Sequence, residues 1–245
     1  MFHKIRNWLT THTGRNNLTL DRDVGVVSFS FDDAMHSACE TGRKILEQHD
    51  CRGTWYVAGA LTDQIENGRR YHSVTDIQEL AHEGHHIGCH TFTHRACDRM
   101  TVTEMDRDLE RNLEFFREIG ILHAGLHFSF PFGAINQESK RLASTRFNSS
   151  RIVGGGIQVG SADLNGLRSE PLYQRSTTPE RLSLLAKEVA IKKGWLIFHT
   201  HDVEDRPSQW GCTEDLFGYA IQTALDAGCK VLPVDQAIQY WEGKA

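Results

Sequence analysis

The 245-residue sequence lacks a long hydrophobic run, and no stretch approaches the ~18 apolar residues that a membrane-spanning helix needs. It also lacks an excess of positive charge, because 27 lysines and arginines stand against 32 aspartates and glutamates, giving a formal net charge of -5. Surfaces that bind nucleic acids or anionic membranes need basic clusters, so neither partner is expected. Residues 1–17 contain basic residues but no apolar core and no small-residue cleavage site. These absences predict a cytoplasmic protein without an export signal or transmembrane segment.

The six cysteines show no C-x-x-C pair and no compact disulfide framework. Without an export signal, this predicts six reduced thiols in a reducing compartment. No Pro/Ser/Gly-rich linker, charge block or short-period repeat divides the chain. We therefore expect one catalytic domain over residues 24–245, preceded by an extension of residues 1–23 that contains a short helix. The oligomeric state has no signal in the sequence.

Strand-like and helix-like segments alternate along the chain. The apolar stretch at residues 25–31 predicts a strand, the segment 37–50 a helix, and the short segment 172–177 (LYQRST) a later strand. The clearest helix begins at Thr101, which forms a predicted capping box with Glu104. Seven or eight such strand–helix units predict an α/β fold with a closed or nearly closed parallel barrel.

Four polar clusters follow predicted strands: FDD at residues 31–33, HTFTH at residues 90–94, FPFG at residues 130–133 and FHTHD at residues 198–202. In (β/α) barrels the chemistry lies at the carboxyl ends of the strands. The four clusters are therefore expected to meet at one rim of the barrel.

The adjacent carboxylates Asp32 and Asp33 disfavour each other's ionisation unless a cation or a proton lies beside them. His90 and His94 stand at i and i+4, and they face the same way if this segment is helical. Two imidazoles and one carboxylate would form a three-ligand site for zinc or a similar divalent ion, with the second aspartate free to take a proton from water. Taken alone, the aspartates are also compatible with a helix N-cap, and the histidines with surface or core positions.

The motifs SFDD, HTFTH, FPFG and LIFH, in this order and spacing, resemble those of the polysaccharide deacetylase family, also called the NodB-homology domain. The resemblance covers residues 24–235 and implies a distorted (β/α) barrel with about seven parallel strands. It implies hydrolysis of an acetamide by a metal-dependent enzyme that uses zinc, with cobalt, nickel and manganese as alternatives.

Carried over to this sequence, the resemblance makes Asp32 the general base. Asp33, His90 and His94 become the metal ligands, and His199 becomes the general acid that protonates the leaving amine.

Three further positions are assigned to substrate binding by the same resemblance. Phe132, which follows Pro131, would offer its backbone N–H to the oxyanion, and Ile197 stands where a leucine lines the pocket for the acetyl methyl group.

This chain departs from the family's motifs in two places. The third motif normally opens with an arginine that orients the catalytic aspartate, and here that residue is Ser129; Arg175 is a candidate replacement. The fourth motif, an Asp-x-x-Asp-Trp element, has no clean match, and Asp163 is the nearest residue. His201 also competes with His199 for the role of the acid.

The substrate implied is an N-acetylated sugar or glycan, and an intracellular precursor of a cell-surface polysaccharide fits the expected compartment. Trp210, in a polar loop after the acid histidine, could stack on a sugar ring or pack in the interior. Two alternatives stay open at this point. One is a different carbon–nitrogen hydrolase acting on cyclic ureides, and the other is a carbohydrate-binding relative without activity, motivated by the lost motifs.

Overall fold

The computed structural model describes residues 13–244. The described chain contains twelve strands: β1 (Asn17–Leu20), β2 (Val26–Asp32), β3 (Thr54–Val57), β4 (Ile65–Glu66), β5 (Arg69–Arg70), β6 (His86–Cys89), β7 (His127–Ser129), β8 (Ser149–Val153), β9 (Gly160–Asp163), β10 (Leu167–Pro171), β11 (Trp195–Thr200) and β12 (Lys230–Val231). Its α-helices are α1 (Arg43–Gln48), α2 (Val74–His82), α3 (Val102–Glu118), α4 (Gln137–Arg146), α5 (Pro179–Lys192), α6 (Glu214–Asp226) and α7 (Val234–Glu242).

Seven parallel strands form a closed barrel in the order β2-β3-β6-β7-β8-β10-β11, and β11 pairs back onto β2. The short strand β12 pairs with the first residues of β2, while β3 pairs with its last residues. The predicted distorted barrel of about seven parallel strands is therefore confirmed. Because all seven strands run the same way, their carboxyl ends share one rim.

Local sequence signals explain where several helices begin. The Thr101 side chain accepts a hydrogen bond from the Glu104 backbone N–H, and the Glu104 carboxylate accepts one from the Thr101 backbone N–H, so the predicted capping box is confirmed. Thr178 caps α5, and Pro179 occupies its first position.

Two apolar layers hold the barrel. One lies between the strands and the surrounding helices, where Phe29 of β2 stacks on Phe198 of β11. The other fills the lower interior, where Trp195 and Ile197 pack with Val26 and with α7. Apolar burial at the base leaves the opposite rim for polar side chains.

The structure corrects the sequence analysis in several places. Residues 172–177 form a loop rather than a strand, and the sixth barrel strand is β10, which ends at Pro171. Strand β1 pairs antiparallel with β9, so part of the N-terminal extension is a strand. The helix expected near the start of the chain falls largely on residues 1–12, which lie outside the described residues. The domain boundary at residue 24 stays a prediction.

All six cysteines are buried and unpaired, in agreement with the expectation of free thiols. Among the described residues, the structure contains no helix that is long and apolar enough to cross a membrane.

Candidate active site

The carboxyl end of β2 carries both aspartates into the barrel rim. Asp32 is 6% exposed and Asp33 is 7% exposed. Asp33 and Ala34 adopt left-handed backbone conformations, with φ of 62° and 50°, so the chain turns sharply directly after the strand. His72 holds this turn, because its Nδ1–H donates to the Asp33 carbonyl oxygen at 3.0 Å. The two neighbouring carboxylates therefore point to different partners.

A tight turn after β6 brings the two histidines together. The expected helical conformation is absent from this segment, because Thr91 and His94 have φ of 62° and 53°. The imidazole centroids of His90 and His94 nevertheless lie 5.0 Å apart. Asp108 of α3 stabilises the turn, because its carboxylate accepts from the backbone N–H and the hydroxyl of Thr93. The expected convergence is present, but a turn braced by a helix produces it.

Asp33, His90 and His94 offer three ligand atoms that all lie within 4.8 Å of one another. His94 Nε2 is 2.9 Å and His90 Nε2 is 3.6 Å from Asp33 Oδ1, and this buried oxygen has no hydrogen bond within the described chain. His90 Nδ1–H donates to the Ser129 carbonyl oxygen at 2.7 Å, which leaves Nε2 free to face Asp33. A buried, unpartnered carboxylate oxygen beside two imidazoles fits a divalent cation, and nitrogen with oxygen ligands suits zinc.

The charges of this cluster depend strongly on one another. Burial raises the pKa of Asp33, but the close contact with His94 Nε2 and the other nearby imidazoles outweigh it and bring the pKa to about 2. Burial lowers the pKa of His90 to about 4, whereas Asp33 raises the pKa of His94 in spite of burial. An ionised carboxylate and a neutral His90 are the forms that bind a metal.

Arg151 of β8 supplies the guanidinium beside Asp32. Its Nη2 lies 2.5 Å from both carboxylate oxygens and also contacts Ser129 Oγ, while Nη1 donates to Ser169 Oγ at 2.6 Å. Arg151 is only 1% exposed. Burial raises the pKa of Asp32, but the Arg151 charge and the surrounding imidazoles hold it below its ordinary value. Asp32 is therefore ionised and fixed in position.

Ser129 and Arg151 are direct neighbours across the parallel pair β7–β8. An arginine at either residue can approach Asp32 from almost the same place. The guanidinium missing from the third motif is thus present on the adjacent strand.

The two residues proposed as substitutes for the missing motifs lie elsewhere. Arg175 stacks over the Trp210 ring, with its guanidinium carbon 4.2 Å from the ring centroid, and does not replace the missing arginine. Asp163 accepts from Lys140 Nζ at 2.8 Å. In the described chain His199 Nδ1 is buried without a hydrogen-bond partner, so no carboxylate occupies the place of the fourth motif.

His199 and His201 line the same cavity as Asp33, His90 and His94. Burial, and then the Arg151 charge, lowers the pKa of His199 to about 3. His201 Nε2 lies 3.8 Å from Asp33 Oδ2, and Tyr173 packs edge-on against His199 at 5.4 Å between ring centroids. The two candidate acids are therefore both close to the aspartates.

The cavity has a volume of about 470 Å³. Phe132, 69% exposed, lies on its rim with φ of 60° and with its ring 4.7 Å from that of His94; Trp210 lies on the same cavity. Pro131 is buried and begins the turn that carries Phe132, and it does not line the cavity. Ile197 is fully buried in the barrel interior and does not line the cavity either.

A family model described as polysaccharide deacetylase matches residues 20–146, just over half of the chain. The chain belongs to the polysaccharide deacetylase family. The matched segment includes the first two motifs, with both aspartates and with His90 and His94. A comparison with curated proteins found no match.

Solved structures share the fold of this polysaccharide deacetylase at low identity. The chitin deacetylase of Colletotrichum lindemuthianum is 17% identical, with a TM-score of 0.63, and the match covers 89% of each chain. The Xyl-CE4 domain of a multidomain xylanase from the hindgut metagenome of Trinervitermes trinervoides is 14% identical, with a TM-score of 0.60 and coverage of 90% and 92%. A CE4 family pseudoenzyme from Bacillus anthracis is 14% identical, with a TM-score of 0.62 and coverage of 88% and 66%. These likenesses show the fold alone, since the set includes a pseudoenzyme.

Several contributors to the site were not predicted from the sequence: Arg151 and the cavity-lining Glu66, Tyr71, Val153 and Tyr173. Arg151 carried a signal, because an arginine within an otherwise buried strand is rarely unpaired. Glu66 and Tyr71 belong to the segment between β3 and α2, and only its Asn67-Gly68 dipeptide signalled a tight hairpin.

Proposed function

We propose that this polysaccharide deacetylase is a metal-dependent N-deacetylase that hydrolyses the acetamide of an N-acetylated sugar and releases acetate and a free amine. The observation that carries the proposal is the joint presence, at one rim, of the Asp33–His90–His94 cluster and of a second carboxylate, Asp32, paired with Arg151. A binding protein has no need for a charged base held by a buried arginine. This pairing also argues against a relative without activity, because it restores the charge that Ser129 lacks.

Asp33, His90 and His94 would hold the divalent ion. When bound there, such an ion supplies Lewis-acid activation of the water and of the acetamide carbonyl. Asp32 takes the proton of the attacking water, since its carboxylate is ionised and cannot rotate away from Arg151. The backbone N–H of Phe132 donates to the oxyanion that develops on the carbonyl oxygen.

His199 delivers a proton to the leaving amine. Its imidazole is buried beside Asp32, whose charge opposes, without reversing, the lowering of the His199 pKa by burial and by Arg151. The proton that His199 delivers is therefore one that the imidazole takes up during the reaction, after Asp32 has removed it from the attacking water. Trp210, Tyr173 and His201 form the wall above it and enclose the sugar. Pro131 fixes the Phe132 turn, whereas Ile197 is buried in the barrel interior and does not contact the acetyl group.

The test is acetate release from a panel of N-acetylated monosaccharides and oligosaccharides, with the protein as isolated, after chelation, and after re-addition of zinc, cobalt, nickel or manganese. We expect release that chelation abolishes and metal restores. A cyclic ureide is included in the panel. Hydrolysis of the ureide without hydrolysis of any acetamide would contradict the proposal, as would acetamide hydrolysis that is indifferent to chelation.

A further inference from the structure

A short hairpin between β3 and α2 forms one wall of the cavity. Strands β4 and β5 pair antiparallel, with Glu66 opposite Arg69, and the turn between them has positive φ at Asn67 (53°) and Gly68 (77°). Asn-Gly is the dipeptide that such two-residue hairpin turns prefer. Glu66 lines the cavity and accepts from the Tyr71 hydroxyl at 2.6 Å.

The base of the hairpin is joined to the loop that carries Asp33. Tyr71 forms a bridge with Met35, just beyond the aspartates. His72 donates to the Asp33 carbonyl through Nδ1, and its Nε2 lies 3.1 Å from Thr62 Oγ1. The hairpin is thereby fixed relative to the metal cluster, and it is a wall rather than a mobile lid.

Arg69 fixes the other side of the hairpin to the loop after β11. Its Nε donates to Glu204 Oε1 at 3.0 Å, and its Nη2 donates to the Arg206 carbonyl oxygen at 2.7 Å. Asp202, which is fully buried, lies 3.7 Å from the same Nε and also binds Ser208, so the loop is itself anchored.

This contact crosses the end of β2, because β2 lies between β3 and β11 in the barrel. On this side Glu66 and Tyr71 line the cavity, and the Arg69–Glu204 contact, which is not part of the lining, joins their hairpin to the loop after β11. The opposite rim is low and apolar, with Phe132 (69% exposed) and Val153 (43% exposed) next to Gly133. A substrate can enter over this rim but cannot continue across the site.

We propose that the cavity is a blind pocket that accepts a single N-acetylated sugar unit, either as a monosaccharide or as the terminal unit of a glycan, and excludes the internal units of a polymer. The inference rests on the proposed deacetylase function and specifies its substrate. A volume of about 470 Å³ lies in the lower part of the range of about 300–1,000 Å³ that is usual for small-molecule pockets. An extended glycan would need a second opening on the side where Glu66 and Tyr71 form the wall and Arg69 joins the hairpin to Glu204.

The first experiment uses N-acetylglucosamine and its linear oligomers from dimer to hexamer as probes, with mass spectrometry to locate each lost acetyl group. The expected result is one acetate per chain, taken from one end, with kcat/KM constant across chain lengths within about threefold, since sugars beyond the first make no contact. Loss of acetyl groups from internal units, or kcat/KM that rises steadily with chain length, would overturn the pocket.

Two variants open the wall. Arg69→Ala removes the contact with Glu204, and a second variant replaces residues 65–70 by two glycines, which is sterically reasonable because Tyr71 N–H already donates to the Gln64 carbonyl oxygen at 2.9 Å. Both are expected to acquire internal deacetylation and to favour the hexamer over the monomer by about tenfold, the value of one additional stacked sugar. Arg117→Ala, which breaks an exposed ion pair with Glu110 on α3, is the matched control and should keep the terminal pattern.

A binding measurement separates this inference from the proposed function. If the wild-type protein hydrolyses none of the sugars, the function is wrong, and calorimetry with monomer and hexamer then decides on the pocket. Equal affinity for the two supports a one-unit pocket. A hexamer that binds about tenfold more tightly, or no binding of either, overturns it.

Discussion

Replacing Arg151 by glutamine tests the central pairing of the site. The guanidinium is 1% exposed and contacts both oxygens of Asp32, so its loss leaves a buried carboxylate without a counter-charge. Breaking such a buried pair costs ~3–5 kcal/mol, divided between folding stability and the ionisation of Asp32. Because loss of a general base lowers rates by ~10²–10⁴, we expect kcat of Arg151→Gln to fall within that range.

The neighbouring strand offers a rescue experiment. Ser129 faces Arg151 across β7–β8, so the double variant Ser129→Arg/Arg151→Ser returns the guanidinium to the same place from the other strand. We expect the kcat of the double variant to be at least about tenfold higher than that of Arg151→Gln, whereas a merely structural role of Arg151 would leave the double variant inactive. The assay is acetate release at saturating metal, with metal content and thermal unfolding measured for each variant.

The control is Arg146→Gln, which breaks a partly buried pair with Asp106 far from the rim and should retain wild-type kcat. The reasoning is refuted if the kcat of folded Arg151→Gln stays within about threefold of the wild-type kcat, because such a ratio corresponds to a barrier change too small for a catalytic pair. It is also refuted if the double variant folds and binds metal yet is no more active than Arg151→Gln.

Three further predictions follow from the site and the barrel interior. Asp33→Ala should lose both bound zinc and activity, whereas Asp32→Asn should keep zinc, measured by metal analysis, and lose ~10²–10⁴ in turnover; an active Asp32→Asn would exclude it as the base. His199→Ala should keep metal and substrate affinity but lose turnover, less for an acetyl ester than for an acetamide, and an inactive His201→Ala beside an active His199→Ala would reassign the acid. His86 faces His127 and Asp235, and burial lowers its pKa to about 3. A histidine in the unfolded chain has a pKa near 6.5, so between these two pH values the unfolded state binds a proton that the folded state does not bind. The free energy of unfolding should therefore fall as pH drops below about 6.5, by about 2 kcal/mol from His86 at pH 5, and His86→Gln should reduce this slope in denaturant titrations.

The sequence predicted best what short-range chemistry determines. Capping by Thr101 and Thr178 depends on residues three positions away, so both helix starts are where the pattern placed them. The motifs at the strand ends also converge as expected, because a parallel barrel brings every carboxyl end to one rim. The cluster of Asp33, His90 and His94 is therefore predictable from spacing, although the turn that forms it is not helical.

The same reasoning could not predict the register between neighbouring strands or the hairpin between β3 and α2. That residue 151 lies beside residue 129 depends on how β8 aligns with β7, which no local pattern encodes. Arg175 was closer to the acid histidine along the chain, yet its guanidinium binds the Trp210 ring. Strand β10 was placed too late because Arg168 and Glu170 interrupt its apolar pattern, while its inward residues Leu167 and Ser169 are fully buried.

The pairing of β2 with β11 makes one part of the candidate active site, Asp32 and His199, more resistant to local unfolding than the other part, His90 and His94. Six consecutive residue pairs, from Val26–Trp195 to Phe31–Thr200, set the spacing between the strand ends that carry Asp32 and His199. The positions of His90 and His94 depend instead on a turn with two left-handed residues and on one carboxylate from α3. Local opening of such turns requires less free energy than separation of barrel strands. Mild heating should thus release the ion while the acid and base stay in place, and cooling with added metal should return full activity without refolding of the barrel.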